Sequence, residues 1–391
     1  LVNETTGKTA SGNVTVKGGE KFHLVATTAN MGSLKGKYAI TSNFPLDFHA
    51  MLLKLESSQD IGFGYYTDSA DLQITVDWPE EAVIEITKKD GDTGKNLAGA
   101  VYGVYSDNAC TKLIVKMPPT DSNGSSRVTL TKTQDTVYLK EITAPEGYVV
   151  QASSYGVKLV VGSTTKQTVT DKEQKGNLTV YKEGEVFVGA VSDENGTSFQ
   201  YEKRRQKGAV YNVYAAEDIV TAGGKTVYKK GAEVAKNLIT GEDGSVTVKN
   251  LPLGSYNVTE AQAPENFYNA KETKKVTISY AGQTAEAAFS ETTFTNDRQK
   301  AVVQVIKKDK DTENTLSGGH FALFAAQDMK TVDGKVAVKK DALIETAITG
   351  TDGKAAFKAD LPVGFSYYVK EVQAPAGYVR NEKDTYSFQF S

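Results

Sequence analysis

Three residue types that can take part in amide chemistry recur in a fixed order along the chain. A lysine near the end of an extended run stands at Lys88 in IEITKKD, at Lys182 in LTVYKEG and at Lys307 in VQVIKKD. A glutamate followed three residues later by Ala-Pro stands at Glu141 in YLKEITAPEGY, at Glu260 in YNVTEAQAPENFY and at Glu371 in YYVKEVQAPAGY. The first two units then close on TVTD at Asp171 and on TFTN at Asn296, each eleven residues before the next lysine. An amide forms between side chains only when the amine is neutral and the carbonyl is polarised. Burial promotes both conditions, because desolvation disfavours an ammonium and raises a carboxyl group's pKa so that it can serve as the neutral acid. A glutamic acid in contact can then move protons between the two partners. A single lysine on a strand is ordinarily a solvated face; three copies in one order argue against that reading.

The elements that must position these residues repeat with them. Upstream of each glutamate lies a run with apolar residues at alternate positions, LAGAVYGVY (97–105), KGAVYNVY (207–214) and LSGGHFALF (316–324), the period of a half-buried strand. Turns rich in Asp, Asn and Gly follow, DSNG at 121–124, GEDG at 241–244 and TDG at 351–353. Each unit therefore reads as Lys strand, alternating strand, turn and Glu strand, with a closing strand in the first two. From Glu to the closing residue the distance is 30 residues in the first unit and 36 in the second. The same spacing from Glu371 runs past Ser391, so the third unit is expected to lack its closing strand and Lys307 to have no acceptor. The neighbouring Lys89 and Lys308 leave the register open by one. Period-two alternation places Lys88 and Lys307 on the strand face of Ile86 and Val305, which favours them.

This order of motifs resembles the collagen-adhesin B-type (Cna B-type, SpaA-like) repeats of Gram-positive surface adhesins and pilins, over roughly residues 82–391. The resemblance implies an all-β architecture of tandem immunoglobulin-like or transthyretin-like sandwiches: repeat 1 at 81–174, repeat 2 at 175–298 and repeat 3 at 299–391, behind an N-terminal β-rich segment at 1–80. It also implies an isopeptide bond between the first and last strands of a repeat. By position, Lys88 would join Asp171 with Glu141 as the promoting acid, and Lys182 would join Asn296 with Glu260; Glu371 would stand beside an unlinked Lys307. An Asp acceptor departs from the more usual Asn, and A-P-E-N-F departs from A-P-x-G-Y. The function implied is an extracellular, wall-anchored stalk of an adhesin or minor pilin. Direct binding of a host matrix protein such as collagen is the alternative, and a pilus backbone subunit the second. No pilin-type Tyr-Pro-Lys motif is present, which disfavours the backbone role. Expected partners are a host matrix protein or other pilus and cell-wall components.

Composition bounds the remaining choices. A chain of 391 residues exceeds one ordinary core, and its 20 Tyr, 15 Phe and 35 Gly suit strands joined by tight turns. A net charge of −3 without blocks of like charge gives no sign of a nucleic-acid or polybasic membrane partner. With one cysteine, Cys110, the chain has neither a disulfide framework nor a Cys-based zinc site. His23, His49 and His320 lack metal-ligand spacing, and no nucleophile elbow, P-loop or dinucleotide fingerprint occurs. No cofactor, metal or multiple-turnover activity is expected. Residues 1–80 lack the Ala-Pro box, although GNVTV, KFHLVATT, KYAIT and DLQITVDW read as strands. Asp77 keeps the eleven-residue spacing to Lys88, and residues 46–66 resemble the closing part of thioester adhesin domains.

Overall fold

A computed structural model describes residues 81–380 and 382–391 in full and, within residues 1–80, the backbone of eight short strands. Among the described residues there is no helix, and the chain is all-β. The eight N-terminal strands pair into two four-stranded antiparallel sheets, which include Val14–Val16, Phe22–Ala26, Lys37–Ser42 and Leu72–Asp77. The chain divides into two compact units. One holds residues 1–173 with 282–286, and the other holds the remainder.

Each repeat is a sandwich of two sheets. In repeat 1 one sheet runs Leu113–Lys116, Val101–Tyr105, Thr136–Thr143, Ser154–Lys158, and the other runs Ser125–Thr131, Glu81–Asp90, Thr164–Glu173, Tyr148–Val149. The Lys88 strand alternates strictly between buried and half-buried positions, because every second residue (Ala82, Ile84, Ile86, Lys88) faces the opposing sheet. Its apolar members pack against Tyr102, Val104, Val137, Leu139, Val157 and Val169. The lysine therefore enters the core by strand period alone. The closing strand Thr164–Glu173 runs parallel to Glu81–Asp90, so the first and last strands of the repeat lie side by side.

Repeat 2 follows the same plan with Lys175–Asp193, Ser245–Pro252 and the parallel closing strand Ala287–Asn296 in one sheet. Its second sheet runs Glu233–Ile239, Val210–Ala215, Gly254–Gln262, Thr273–Ile278. Its first strand does not stop after Lys182. It continues to Asp193, bulges between Phe187 and Gly189, and turns back as Gly196–Arg205. This hairpin leaves the core of repeat 2 and enters that of repeat 3. Phe187, only 8% exposed, packs there with Phe321, Leu323, Tyr367 and Val369, and its ring meets Phe365 edge-on at 5.9 Å. The Tyr201 hydroxyl donates to the Asp360 carbonyl at 2.6 Å. Arg298 stacks on the Tyr201 ring at 3.8 Å and pairs with Asp360.

Repeat 3 has the sheet Leu343–Ile348, His320–Ala325, Phe365–Gln373, Thr385–Phe390. Its Lys strand, Val303–Ile306, pairs with Lys354–Phe357 alone among the described residues. The hairpin thus fills part of a core that one of its own sheets leaves thin. Truncating Phe187 to Ala is expected to lower the stability of repeat 3 by about 3 kcal/mol while leaving repeat 2 unchanged. Hydrogen exchange resolved by residue checks this: faster exchange should appear in 320–325 and 365–373 and not in 210–215.

Candidate functional site

The Lys88 ammonium, the Glu141 carboxyl and the Asp171 carboxyl meet inside repeat 1. Lys88 Nζ lies 2.7 Å from Glu141 Oε1, with both side chains wholly buried, and it also donates to Asp171 Oδ1. Strand register brings them together: Cα of Lys88 faces Val169 on the closing strand, and Asp171 lies two residues further on, opposite Asp90. Glu141 arrives from the opposing sheet, and its Oε2 accepts the Gln151 backbone N–H at 2.8 Å. Lys89 is only half-buried and Lys88 fully buried, so the structure places Lys88 at the cluster.

Repeat 2 reproduces the arrangement with an amide. Lys182 Nζ lies 2.9 Å from Glu260 Oε1, both side chains fully buried, and Asn296 Nδ2 donates to Glu260 Oε2 at 2.8 Å. Lys182 faces Phe294 on the closing strand and Asn296 again lies two positions on. Asn296 Oδ1 is buried without a hydrogen-bond partner. A half-turn of that amide exchanges the two atoms and offers the carbonyl oxygen to Glu260. In repeat 3, Lys307 Nζ contacts Glu371 Oε1 at 2.9 Å and Oε2 at 3.0 Å, but the Lys307 side chain is 24% exposed; no strand parallel to the Lys strand pairs with it among the described residues, and Asp384, just before the outer strand Thr385–Phe390, lines the same groove as Lys307.

Electrostatics in the clusters follow from burial. Desolvation is the largest influence on Asp171 and pushes its carboxyl up to about 7; Lys88 opposes the shift and the Glu141 carboxylate adds to it. Desolvation likewise lowers the pKa of the Lys182 ammonium, against the pull of Glu260. Both changes move the groups toward the neutral amine and neutral acid that condensation needs.

Tyr102 is a member of the repeat 1 site that the sequence reading passes over. It sits directly across from Glu141 in the register of the two strands, and its hydroxyl accepts a hydrogen bond from Lys88 Nζ at 2.8 Å. Tyr211 faces Glu260 in the same way, and Phe321 faces Glu371. The recurring V-Y-x-V-Y was the available signal, but only strand pairing turns it into a contact.

The Ala-Pro box is a turn that ends the Glu strand. In all three repeats the N–H of its aromatic residue returns to the Pro carbonyl: Tyr148 to Pro145 at 3.1 Å, Phe267 to Pro264 at 3.2 Å and Tyr378 to Pro375 at 3.0 Å. The residue before the aromatic has positive φ, 88° at Gly147 and 84° at Gly377. Asn266, at 72°, can stand in for glycine because asparagine tolerates this region better than other side chains. The exchange of Tyr for Phe at 267 is matched elsewhere. In repeat 1 the Tyr148 hydroxyl donates to Asp90 at 2.6 Å; repeat 2 has Gly184 at the place of Asp90, where a Cβ would lie 2.2 Å from the Phe267 ring.

Cys110 is half-buried at a turn with φ of 54°, and among the described residues no cluster of His, Cys, Asp or Glu could hold a metal ion. No helix is long and apolar enough to cross a membrane among the described residues.

Comparison with known proteins agrees with this architecture. The prealbumin-like fold domain called SpaA matches residues 82–174, 195–293 and 301–391, and a TED associated beta sandwich domain matches 1–38. The second match begins after the Lys182 strand, inside the hairpin that separates that strand from the rest of repeat 2. The resemblance of 46–66 to thioester adhesin domains lies outside the N-terminal match and largely outside the described residues. No curated protein matches. Among solved structures, the Bacillus anthracis TIE protein is 24% identical with a TM-score of 0.50, over 88% of this chain. The chain spans 52% of that protein's length, and the likeness is one of fold. BcpA, the major pilin subunit of Bacillus cereus, is 16% identical over 80% of this chain and 93% of its own, with a TM-score of 0.30. SpaD, a major pilin of Corynebacterium diphtheriae, is 14% identical over 81% and 92%, with a TM-score of 0.22.

Of the two residues that sequence reading expects as acceptors, only Asp171 titrates, which separates them experimentally. Asp171 must carry a proton to lose water, and it releases that proton as pH rises through about 7; the Asn296 carboxamide has none to lose. In freshly refolded protein, any condensation in repeat 1 is expected to slow as pH rises from 6 to 8 relative to repeat 2. A quenched time course read by peptide mass would show this, and equal pH profiles for both repeats would contradict it.

Proposed function

Because the chain belongs to the SpaA prealbumin-like fold domain family, which matches it three times over more than half its length, we propose that it is a structural stalk of a Gram-positive surface adhesin or minor pilin, sealed by amide bonds inside repeats 1 and 2. The observation that carries this is the burial of a lysine amine against both a glutamate and an Asp or Asn acceptor, between the first and last strands of a repeat.

In repeat 1 the Lys88 amine attacks the Asp171 carboxyl carbon, the amide forms and water leaves. In repeat 2 Lys182 attacks the Asn296 carboxamide and ammonia leaves. Glu141 and Glu260 take the proton from the amine, donate to the carbonyl oxygen and return a proton to the leaving group. Holding amine and carbonyl in attack geometry can supply roughly 7–11 kcal/mol of such a barrier, so folding does much of the catalysis and each site acts once. The bonds would close loops of 83 and 114 residues, stabilising each repeat by about 4–5 kcal/mol on the chain-entropy account. The reading makes the protein non-enzymatic toward other substrates, extracellular and wall-associated, with other wall or pilus components as its partners. Capture of a host matrix protein by the repeats is the alternative role.

A bond between the paired first and last strands also carries tension past the sheet hydrogen bonds. Pulled from its ends, the natural chain is expected to extend no residues between Lys88 and Asp171 or between Lys182 and Asn296. Glu141→Gln should release about 290 Å and Glu260→Gln about 400 Å of contour length in single-molecule force measurements. Release of the same lengths by the natural chain would contradict the proposal.

A further inference from the structure

Of the two expected acceptors, Asp171 is a carboxyl and Asn296 a carboxamide, and the lysines beside them are held differently. Lys88 Nζ touches three buried oxygens: Glu141 Oε1 at 2.7 Å, Asp171 Oδ1, and the Tyr102 hydroxyl at 2.8 Å. Those three contacts match the three N–H donors of an ammonium. Tyr102 is wholly buried, and its ring centroid lies 5.1 Å from Nζ. Its hydroxyl also hydrogen-bonds Glu141; desolvation, with the nearby carboxylates, pushes its pKa far above the ordinary tyrosine value, so it stays a neutral phenol. In repeat 2 the Lys182 amine contacts Glu260, while Tyr211, at the place of Tyr102, has a buried hydroxyl with no hydrogen-bond partner. The Tyr211 ring packs at 4.9 Å on Phe294, which stands where repeat 1 has Val169.

An aspartic acceptor poses a problem that an asparagine does not. Its carboxylate pairs with the ammonium, and in that pair an N–H, not the nitrogen lone pair, points at the acceptor. A carboxamide carries no charge that would hold the amine this way. We propose that Tyr102 is a positioning residue for condensation in repeat 1: its hydroxyl oxygen takes one amine N–H and turns the Lys88 lone pair toward the Asp171 carboxyl carbon. Glu141 first removes a proton from the ammonium, and Tyr102 holds one of the two hydrogens left. The nitrogen attacks the protonated Asp171 carboxyl, the C–N bond forms and the bond from carbon to the hydroxyl oxygen breaks. That hydroxyl leaves as water with the proton from Glu141, which then takes the surplus proton of the nitrogen and ends the step protonated. Tyr102 gives up no proton. The inference rests on the amide chemistry proposed above and adds that the tyrosine hydroxyl is needed where the acceptor is an aspartate.

The test follows bond formation in the whole chain made by cell-free synthesis, quenched at intervals and read by peptide mass, with repeat 2 of the same molecules as the internal control. Tyr102→Phe is expected to slow the joining of Lys88 to Asp171 by roughly tenfold or more, the worth of one hydrogen bond to a charged group, while Lys182 joins Asn296 at its natural rate. Added to Asp171→Asn, the same substitution should slow repeat 1 by no more than about threefold. A hydroxyl that served packing alone would slow both backgrounds equally, and that result overturns the proposal. Hydrogen exchange in 101–105 and 136–143 should be unchanged by Tyr102→Phe; faster exchange there alongside the slower rate would assign the loss to packing and overturn it too. A natural chain that joins Lys88 to Asp171 at a rate Tyr102→Phe does not alter leaves the amide reading standing and overturns this inference alone. A natural chain that never joins them defeats the amide reading, and the inference falls with it.

Discussion

A lysine amine buried between two sheets is the constraint on which the rest depends. Strand period turns Lys88 and Lys182 inward, and at that depth an ammonium costs several kcal/mol unless it is paired. Glu141 and Glu260 supply the pairing, but each brings a second desolvated charge. In repeat 1 the Asp171 carboxyl joins them, and three ionised groups in one dry pocket would leave a net negative charge. The upward shift of Asp171 is the physical response. The proposed condensation would resolve the same problem more completely, because it would replace an amine and an acid by one neutral amide that Glu141 could still hydrogen-bond.

That requirement explains the surrounding architecture. The acceptor must come from a strand that lies beside the Lys strand, so the chain returns to its starting edge and closes in parallel. The Glu must come from the facing sheet, so the Glu strand pairs with the alternating strand that carries Tyr102 or Tyr211. The turn after the glutamate fixes where that strand stops, which accounts for the Ala-Pro box without giving it any chemical part. In repeat 3, among the described residues, the same frame brings Lys307 to Glu371 with the lysine side chain 24% exposed.

Much of this was legible in the sequence because it was written three times. Alternation placed Lys88 on the face of Ile86, and the equal spacing from Asp171 and Asn296 to the next lysine marked the repeat junctions. Cross-strand neighbours were not legible, since Tyr102 and Glu141 are 39 residues apart and only pairing register makes them partners. The paired exchange of Asp90 and Tyr148 for Gly184 and Phe267 escaped for the same reason. The hairpin at 185–205 did carry a local signal, a DENG turn between two alternating runs. Its destination in the core of repeat 3 is a long-range packing event that periodicity cannot announce.

The central claim is that buried proximity becomes a covalent bond, and the mass of the denatured chain tests it most directly. The account predicts a deficit of one water and one ammonia from the sequence mass, with tandem spectra joining Lys88 to Asp171 and Lys182 to Asn296. A mass equal to that of the unmodified sequence would contradict it and leave both clusters as buried ion pairs that serve packing alone.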